Sequence, residues 1–268
     1  MAAAPDAPGS RRFTIGGVLA TAARGLTHHG VAVLAFCLAA GILATLGAPF
    51  VAGLLRPILG FLWRTLAHEL ALIALAILVA LPAIPLLLAG IQRQGIGWRQ
   101  AASQGWRRSV VVLPVQVVID ALLVLPTYLL VPGYQPGSSA QYAWLGVIVL
   151  YQLPILAFNY IYLMALVAEP IGPGRGAARA FSLLSGHWIR MLAIAGLISI
   201  AGIVAVFATT LLGRMIFGAL LGWVAWGTTS LAFSLRLLVM IVVASAAYHR
   251  LCLEKDGGPA DETARVFD

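Results

Sequence analysis

The sequence is dominated by six apolar runs, each long enough to cross a bilayer and separated by short polar connections: Gly30–Leu55, Leu70–Ile91, Val110–Val131, Tyr142–Ala168, Met191–Leu212 and Thr229–Leu251. A spanning helix needs about 20 mainly apolar residues, and backbone groups inside hydrocarbon must be satisfied within the helix. Six such runs predict an all-α membrane protein of six transmembrane helices. Composition agrees. The chain is 61% hydrophobic and 10% charged, with a mean hydropathy of +0.97. A water-soluble domain carries about 25% charged residues, so a chain this apolar needs lipid as solvent for most of its surface. The predicted organisation is an N-terminal tail over residues 1–12, a membrane domain over 13–253 and a C-terminal tail over 254–268, both tails disordered. The first apolar run is too long for a signal-peptide core and is expected to stay in the mature chain.

Positive charge sets the expected orientation. With the N-terminus inside, the cytoplasmic set holds Arg11, Arg12, Arg24, Arg93, Arg99, Arg107, Arg108, Arg175, Arg179, Arg190, Arg250, Lys255 and Arg265. The outer set is Arg56, Arg64 and Arg214. Cytoplasmic loops are enriched in Lys and Arg, so both termini are expected in the cytoplasm. The net charge of +8 follows from this bias and does not imply nucleic-acid binding, for which no basic folded domain exists. Lys255 is the only lysine, a bias towards arginine expected of a GC-rich bacterial genome. The expected location is therefore the bacterial inner membrane.

Three cytoplasmic segments resemble one another: AARGLTHHGVAVL from Ala22, AASQGWRRSVVVL from Ala101, and AARAFSLLSGHWIRML from Ala177, the third being three residues longer. In the third, Ala177, Phe181, Leu184 and Trp188 form one apolar stripe at helical spacing. In the first, Ile15, Leu19, Ala22 and Leu26 do the same. The reading is a threefold pattern, each unit an amphipathic helix in the cytoplasmic interface followed by a transmembrane hairpin. The competing reading makes these segments plain extensions of the spans. Prolines at 82, 85, 114, 126 and 154 predict kinks whose freed carbonyls are satisfied by neighbours. Small residues at four-residue spacing (Ala40, Ala44, Ala48; Ala195, Ser199) predict close helix contacts.

Four stretches carry a family resemblance: FTIGGVL from Phe13, VPG from Val131, AEPIGPGRGAARAFSLLSGHW from Ala168, and AAYHRLCLEKDGG from Ala246. Together they resemble a bacterial six-helix group that includes the glycerophosphoryl diester phosphodiesterase membrane domain and related uncharacterised membrane proteins. The resemblance implies the fold more than an activity. In that family the hydrolase chemistry belongs to a separate soluble domain, which these residues do not contain. His249, between Tyr248 and Arg250, departs from its pattern.

Chemical motifs are few. His68–Glu69 lacks the second histidine of a zinc-protease helix, since position 72 is Leu72, and reads as part of an outer loop. His28 and His29 are adjacent and diverge on a helix, with no third ligand nearby. Cys37 and Cys252 read as buried free thiols. Gly172, Gly174 and Gly176 read as a flexible turn, with lipid phosphate contact as the alternative; no nucleotide-binding Lys follows. No catalytic group, metal or cofactor is expected. Arg107, Arg108, Arg175 and Arg179 are the candidates for phospholipid headgroup contact. The candidate functional core is intramembrane: Asp120 in the third span and Arg236 in the sixth, joined by Gln116, Gln152 and Asn159. A lone charge at the centre of a span costs roughly 2.5–3.5 kcal/mol on insertion scales, which favours an Asp120–Arg236 pair; the alternatives are Arg236 snorkelling to the outer interface and Asp120 as a protonated or helix-capping structural acid. The first functional expectation is a non-enzymatic scaffold, partner or lipid-organising component, working with phospholipids and another membrane or soluble protein. The alternative is a transporter or permease subunit built on the polar core.

Overall fold

The computed structural model describes residues 12–54, 61–130, 139–217 and 222–256. Among them the chain forms eight helices and no strand: α1 (Ile15–Leu54), α2 (Phe61–Ala80), α3 (Ala83–Gln92), α4 (Trp98–Leu130), α5 (Ser139–Ala168), α6 (Pro173–Leu184), α7 (Trp188–Phe217) and α8 (Gly222–Asp256). Four are long and apolar enough to cross a membrane: α1, α5, α7 and α8. The α2–α3 pair, bent by 43°, is a fifth if its two helices are taken as one span. The expected third span falls in α4, which is helical throughout. Its described part is less apolar, since it includes Arg107, Arg108, Gln116 and Asp120. Large apolar side chains such as Val31, Ile189 and Phe207 lie exposed on the outside of the helices, the reverse of a water-soluble surface.

The break in the second span has a local cause. Pro82 has no N–H to give to the carbonyl of Leu78, so the helix stops at Ala80 and restarts at Ala83. Pro85 sits in the first turn of α3, where the missing donor costs nothing. Trp106 Nε1 on α4 donates to the Leu78 oxygen at 3.0 Å. Beside it, Gly105 lies against the break so closely that a Cβ there would stand 2.7 Å from Pro82 N and 2.8 Å from the Leu81 carbonyl carbon. The same device recurs at Pro126. The carbonyl it leaves free, on Leu122, accepts from the Tyr151 hydroxyl at 3.2 Å, and Gln152 Nε2 reaches the next carbonyl, Leu123, at 2.9 Å. At Pro82 and Pro126 the freed carbonyls are thus satisfied by neighbouring helices, as expected.

Every residue from Ala83 to Ile91 is buried, so α3 is enclosed on all sides, packed against α1, α4, α5 and α8. The small stripe Ala40, Ala44 and Ala48 of α1 is fully buried. At Gly41 a Cβ would stand 2.0 Å from Ser234 Oγ and 2.7 Å from the Ser230 carbonyl, and Thr45 Oγ1 meets Ser230 Oγ at 2.6 Å. The α1–α8 contact thus depends on absent side chains and buried hydroxyls.

Several expectations are corrected. The first two interfacial segments are not separate helices: they run without a break into α1 and α4. Only the third is its own helix, α6, ended by a turn at 185–187 where Gly186 takes φ +83°. The buried stripe of α6 is Gly176, Ala180, Leu183 and Leu184, one position off the expected one, and Phe181 is 56% exposed. The glycine-rich stretch is not a flexible turn. Pro173 opens α6, and Gly176 packs against α5, where a Cβ would stand 2.6 Å from Leu166 Cδ2. His68 and Glu69 lie inside α2, which begins nine residues before the expected span boundary at Leu70. Helix α8 continues to Asp256, into the expected C-terminal tail. The N-terminal tail lies outside the described residues, apart from Arg12.

Candidate functional site

Four helices each turn one face towards a common cavity of about 190 Å³. From α2 come Glu69, Leu72, Ile73, Ala76 and Ile77; from α4, Gln116, Asp120, Leu123 and Val124. From α5 come Gln152, Leu156, Asn159, Tyr160 and Leu163; from α8, Phe233, Arg236, Leu237 and Met240. Each set follows the three-and-four spacing of a single helix face. Ile198 of α7 closes one wall. All five polar residues picked from the sequence therefore line one space, although three helices, α4, α5 and α8, supply them.

Asp120 is 6% exposed, and its Oδ1 accepts from Gln116 Nε2 at 3.0 Å, one turn earlier on the same helix. Arg236 lines the cavity from α8 and is itself exposed. Its stem lies along α7 over Gly202, where a Cβ would stand 3.1 Å from Cγ and 3.3 Å from Cδ. The expected Asp120–Arg236 ion pair is not formed. Among the described residues, ion pairs join Arg179 to Glu169 and Asp256, and His187 to Glu254. Helices α4 and α8 stand on opposite sides of the cavity, so the two charges share a space without touching. Asn159 is 5% exposed and its Oδ1 has no hydrogen-bond partner among the described residues. A buried acceptor left unmatched costs roughly 1–3 kcal/mol.

Two lining residues escaped the sequence reading. Glu69 was assigned to an outer loop, yet it falls on the same face of α2 as Leu72, Ile73, Ala76 and Ile77, a register visible once the helix is known to start at Phe61. Tyr160 carries no signal of its own within an apolar span; its neighbour Asn159 is the available one.

A second polar cluster sits at the end of the bundle where Phe13 meets Glu254. Arg179 Nε donates to Glu169 Oε1 at 2.9 Å, and its other nitrogens engage Asp256. Tyr248 donates to the same Glu169 oxygen. Phe13 is fully buried, its N–H held by Glu254 and its carbonyl by Arg190 Nη1 at 2.6 Å. Arg250, also buried, donates to Thr21 Oγ1 at 2.8 Å. No family model, curated protein or solved structure matches this chain. Of the four candidate headgroup arginines, Arg107 and Arg175 are exposed and Arg108 half-buried, whereas Arg179 is taken up by two carboxylates. His28 is exposed and His29 half-buried against Gly90, and no cluster of three metal-ligating side chains occurs among the described residues. Cys37 and Cys252 are buried free thiols.

Proposed function

We propose that the chain is a six-span protein of a bacterial inner membrane, with both termini cytoplasmic, that binds a small polar solute in its central cavity as a transporter or permease component. One observation carries this reading: Asp120, Arg236, Asn159, Gln116 and Gln152, far apart in sequence, converge on one cavity inside an otherwise apolar bundle. A scaffold needs no such space. Intramembrane ionisable residues are costly and mark solute or ion paths, and the orphaned Asn159 oxygen is a cost that a bound donor would remove. The broken second span beside the cavity is the kind of helix that transporters use at a midplane site. The six-span, inward-termini topology rests on the arginine asymmetry. Kinship with the phosphodiesterase membrane-domain group belongs to the same proposal; in its favour, two of the four sequence motifs meet where Tyr248 contacts Glu169. Arg107, Arg108 and Arg175 would then face phospholipid headgroups, and α6 would lie in the interface.

The test is cysteine accessibility, against the low background of the buried Cys37 and Cys252. Leu156→Cys and Ile73→Cys line the cavity and should react with a small water-soluble thiol reagent, while Leu87→Cys in the enclosed α3 should not. Unreactive cavity positions would return the molecule to the scaffold reading. Ser103→Cys should label from the cytoplasmic face and Ser139→Cys from the outer face; the opposite pattern would invert the topology.

A further inference from the structure

The cavity's charges are separated rather than paired, and that separation has chemical content. On the α4–α5 side stand acceptors: the Asp120 carboxylate, with Gln116 donating to Oδ1 only, and the buried Asn159 oxygen that has no donor. On the α8 side stands Arg236, whose guanidinium carries donors only. Its stem is held against α7 because Gly202 leaves room for it. Had the cavity been meant to stay empty, Arg236 and Asp120 would lose least by closing on each other. Instead, about 190 Å³ lies among these groups, room for about six waters at ~30 Å³ each.

A simple anion at Arg236 would leave Asn159 unmatched and would face Asp120 and the half-buried Glu69. A simple cation at Asp120 would leave Arg236 without a counter-charge. A ligand with an N–H-bearing ammonium at one end and a carboxylate or phosphate at the other satisfies both sides. We propose that the cavity binds a primary-ammonium zwitterion, its ammonium on Asp120 and Asn159 and its anionic group on Arg236. Two sources share this chemistry: a free amino acid, and the ethanolamine phosphate headgroup of a phospholipid entering sideways past the exposed part of Arg236. Gly202 is a positioning residue, acting through Arg236. The proposal rests on the solute-binding reading above and makes it specific.

The experiment uses the full chain in nanodiscs of phosphatidylcholine and phosphatidylglycerol, with melting temperature and calorimetric titration as readouts. The soluble probes are glycine, β-alanine and γ-aminobutyrate, which vary the distance between the charges. The controls are propionate, ethylammonium and the trimethylated form of each zwitterion, which keeps the charge and loses the N–H donors. A second arm replaces phosphatidylcholine with phosphatidylethanolamine. Stabilisation by one of the amino acids but not by its trimethylated form assigns a free solute. Stabilisation in the phosphatidylethanolamine arm alone assigns a headgroup. Either response should weaken about tenfold or more in Asp120→Asn and in Arg236→Gln, the loss of one charge-assisted hydrogen bond. Gly202→Ala should weaken it less, with the unliganded melting temperature nearly unchanged. Propionate or ethylammonium acting as well as the zwitterions would overturn the proposal, as would no response in either arm. In that last case, reactive cysteines at Leu156 and Ile73 would still leave a water-filled cavity with a different ligand, so the two failures are separable.

Discussion

The indole nitrogen of Trp106 supplies to the carbonyl of Leu78 the hydrogen bond that Pro82 cannot. The bend between α2 and α3 is thus stabilised from outside the bent helix, by α4. Trp106→Phe keeps most of the ring and removes the donor. It should cost about 0.5–1.5 kcal/mol, the net worth of one hydrogen bond, read as a lower melting temperature in detergent. Gly105→Ala should cost more, since the added methyl meets backbone atoms of Leu81 and Pro82 that cannot rotate away. Equal stability of both variants with the parent would show that α4 does not support the bend.

The α1–α8 seam makes a similar demand at Gly41. An added Cβ meets the Ser230 carbonyl and the Ser234 hydroxyl, so Gly41→Ala should destabilise by about 1–3 kcal/mol through overpacking. Ser234→Ala in the same chain should recover only part of this, because the Ser230 carbonyl is backbone. Full recovery would mean that the hydroxyl alone sets the fit.

Asp120 and Arg236 face one another across the cavity without an ion pair. In unliganded protein, Asp120→Asn and Arg236→Gln should therefore lower stability nearly additively, with a coupling below about 0.5 kcal/mol. A coupling of several kcal/mol in a double-mutant cycle would indicate a direct pair. Binding of a shared ligand is where the two should become non-additive.

Asn159 separates stability from binding. Replacing it with Leu removes a buried acceptor that has no partner, so unliganded protein should melt at the same or a higher temperature. Solute response should fall sharply. A loss of stability in Asn159→Leu would mean that the amide holds the fold.

Acid sensitivity should arise at the terminal end. His187 stacks edge-on against Phe13, with Glu254 at 3.9 Å and Arg190 and Lys255 nearby. Burial first, then the two cations against the opposing Glu254, push its pKa below the ordinary 6.5. Between the folded and unfolded values the unfolded chain binds more protons, so stability rises with pH there. The contribution is complete above about pH 6.5 and is lost as pH falls through the lower folded value. Melting temperatures taken between about pH 8 and about pH 5 should drop towards acid, and His187→Gln should flatten that part of the curve. An unchanged slope would place the sensitivity elsewhere.

The sequence by itself determined that the chain is helical, that lipid-length apolar runs make it a membrane protein, and which polar residues were out of place. Those features depend on local composition and a 3.6-residue period, and Asp120, Gln116, Gln152, Asn159 and Arg236 were legible because each interrupts an apolar run. Tertiary structure decided where they point. The segments at Ala22 and Ala101 resemble the one at Ala177, yet only the last is cut from its span, where its three extra residues accommodate the turn at Gly186 with its positive φ. Glu69 looked like a loop residue until α2 was seen to begin at Phe61. Counted along their spans, Asp120 and Arg236 lie at nearly the same level, yet they are not in contact. Level along a helix follows from a rise of about 1.5 Å per residue, whereas contact depends on which helices are neighbours, and here a cavity stands between α4 and α8.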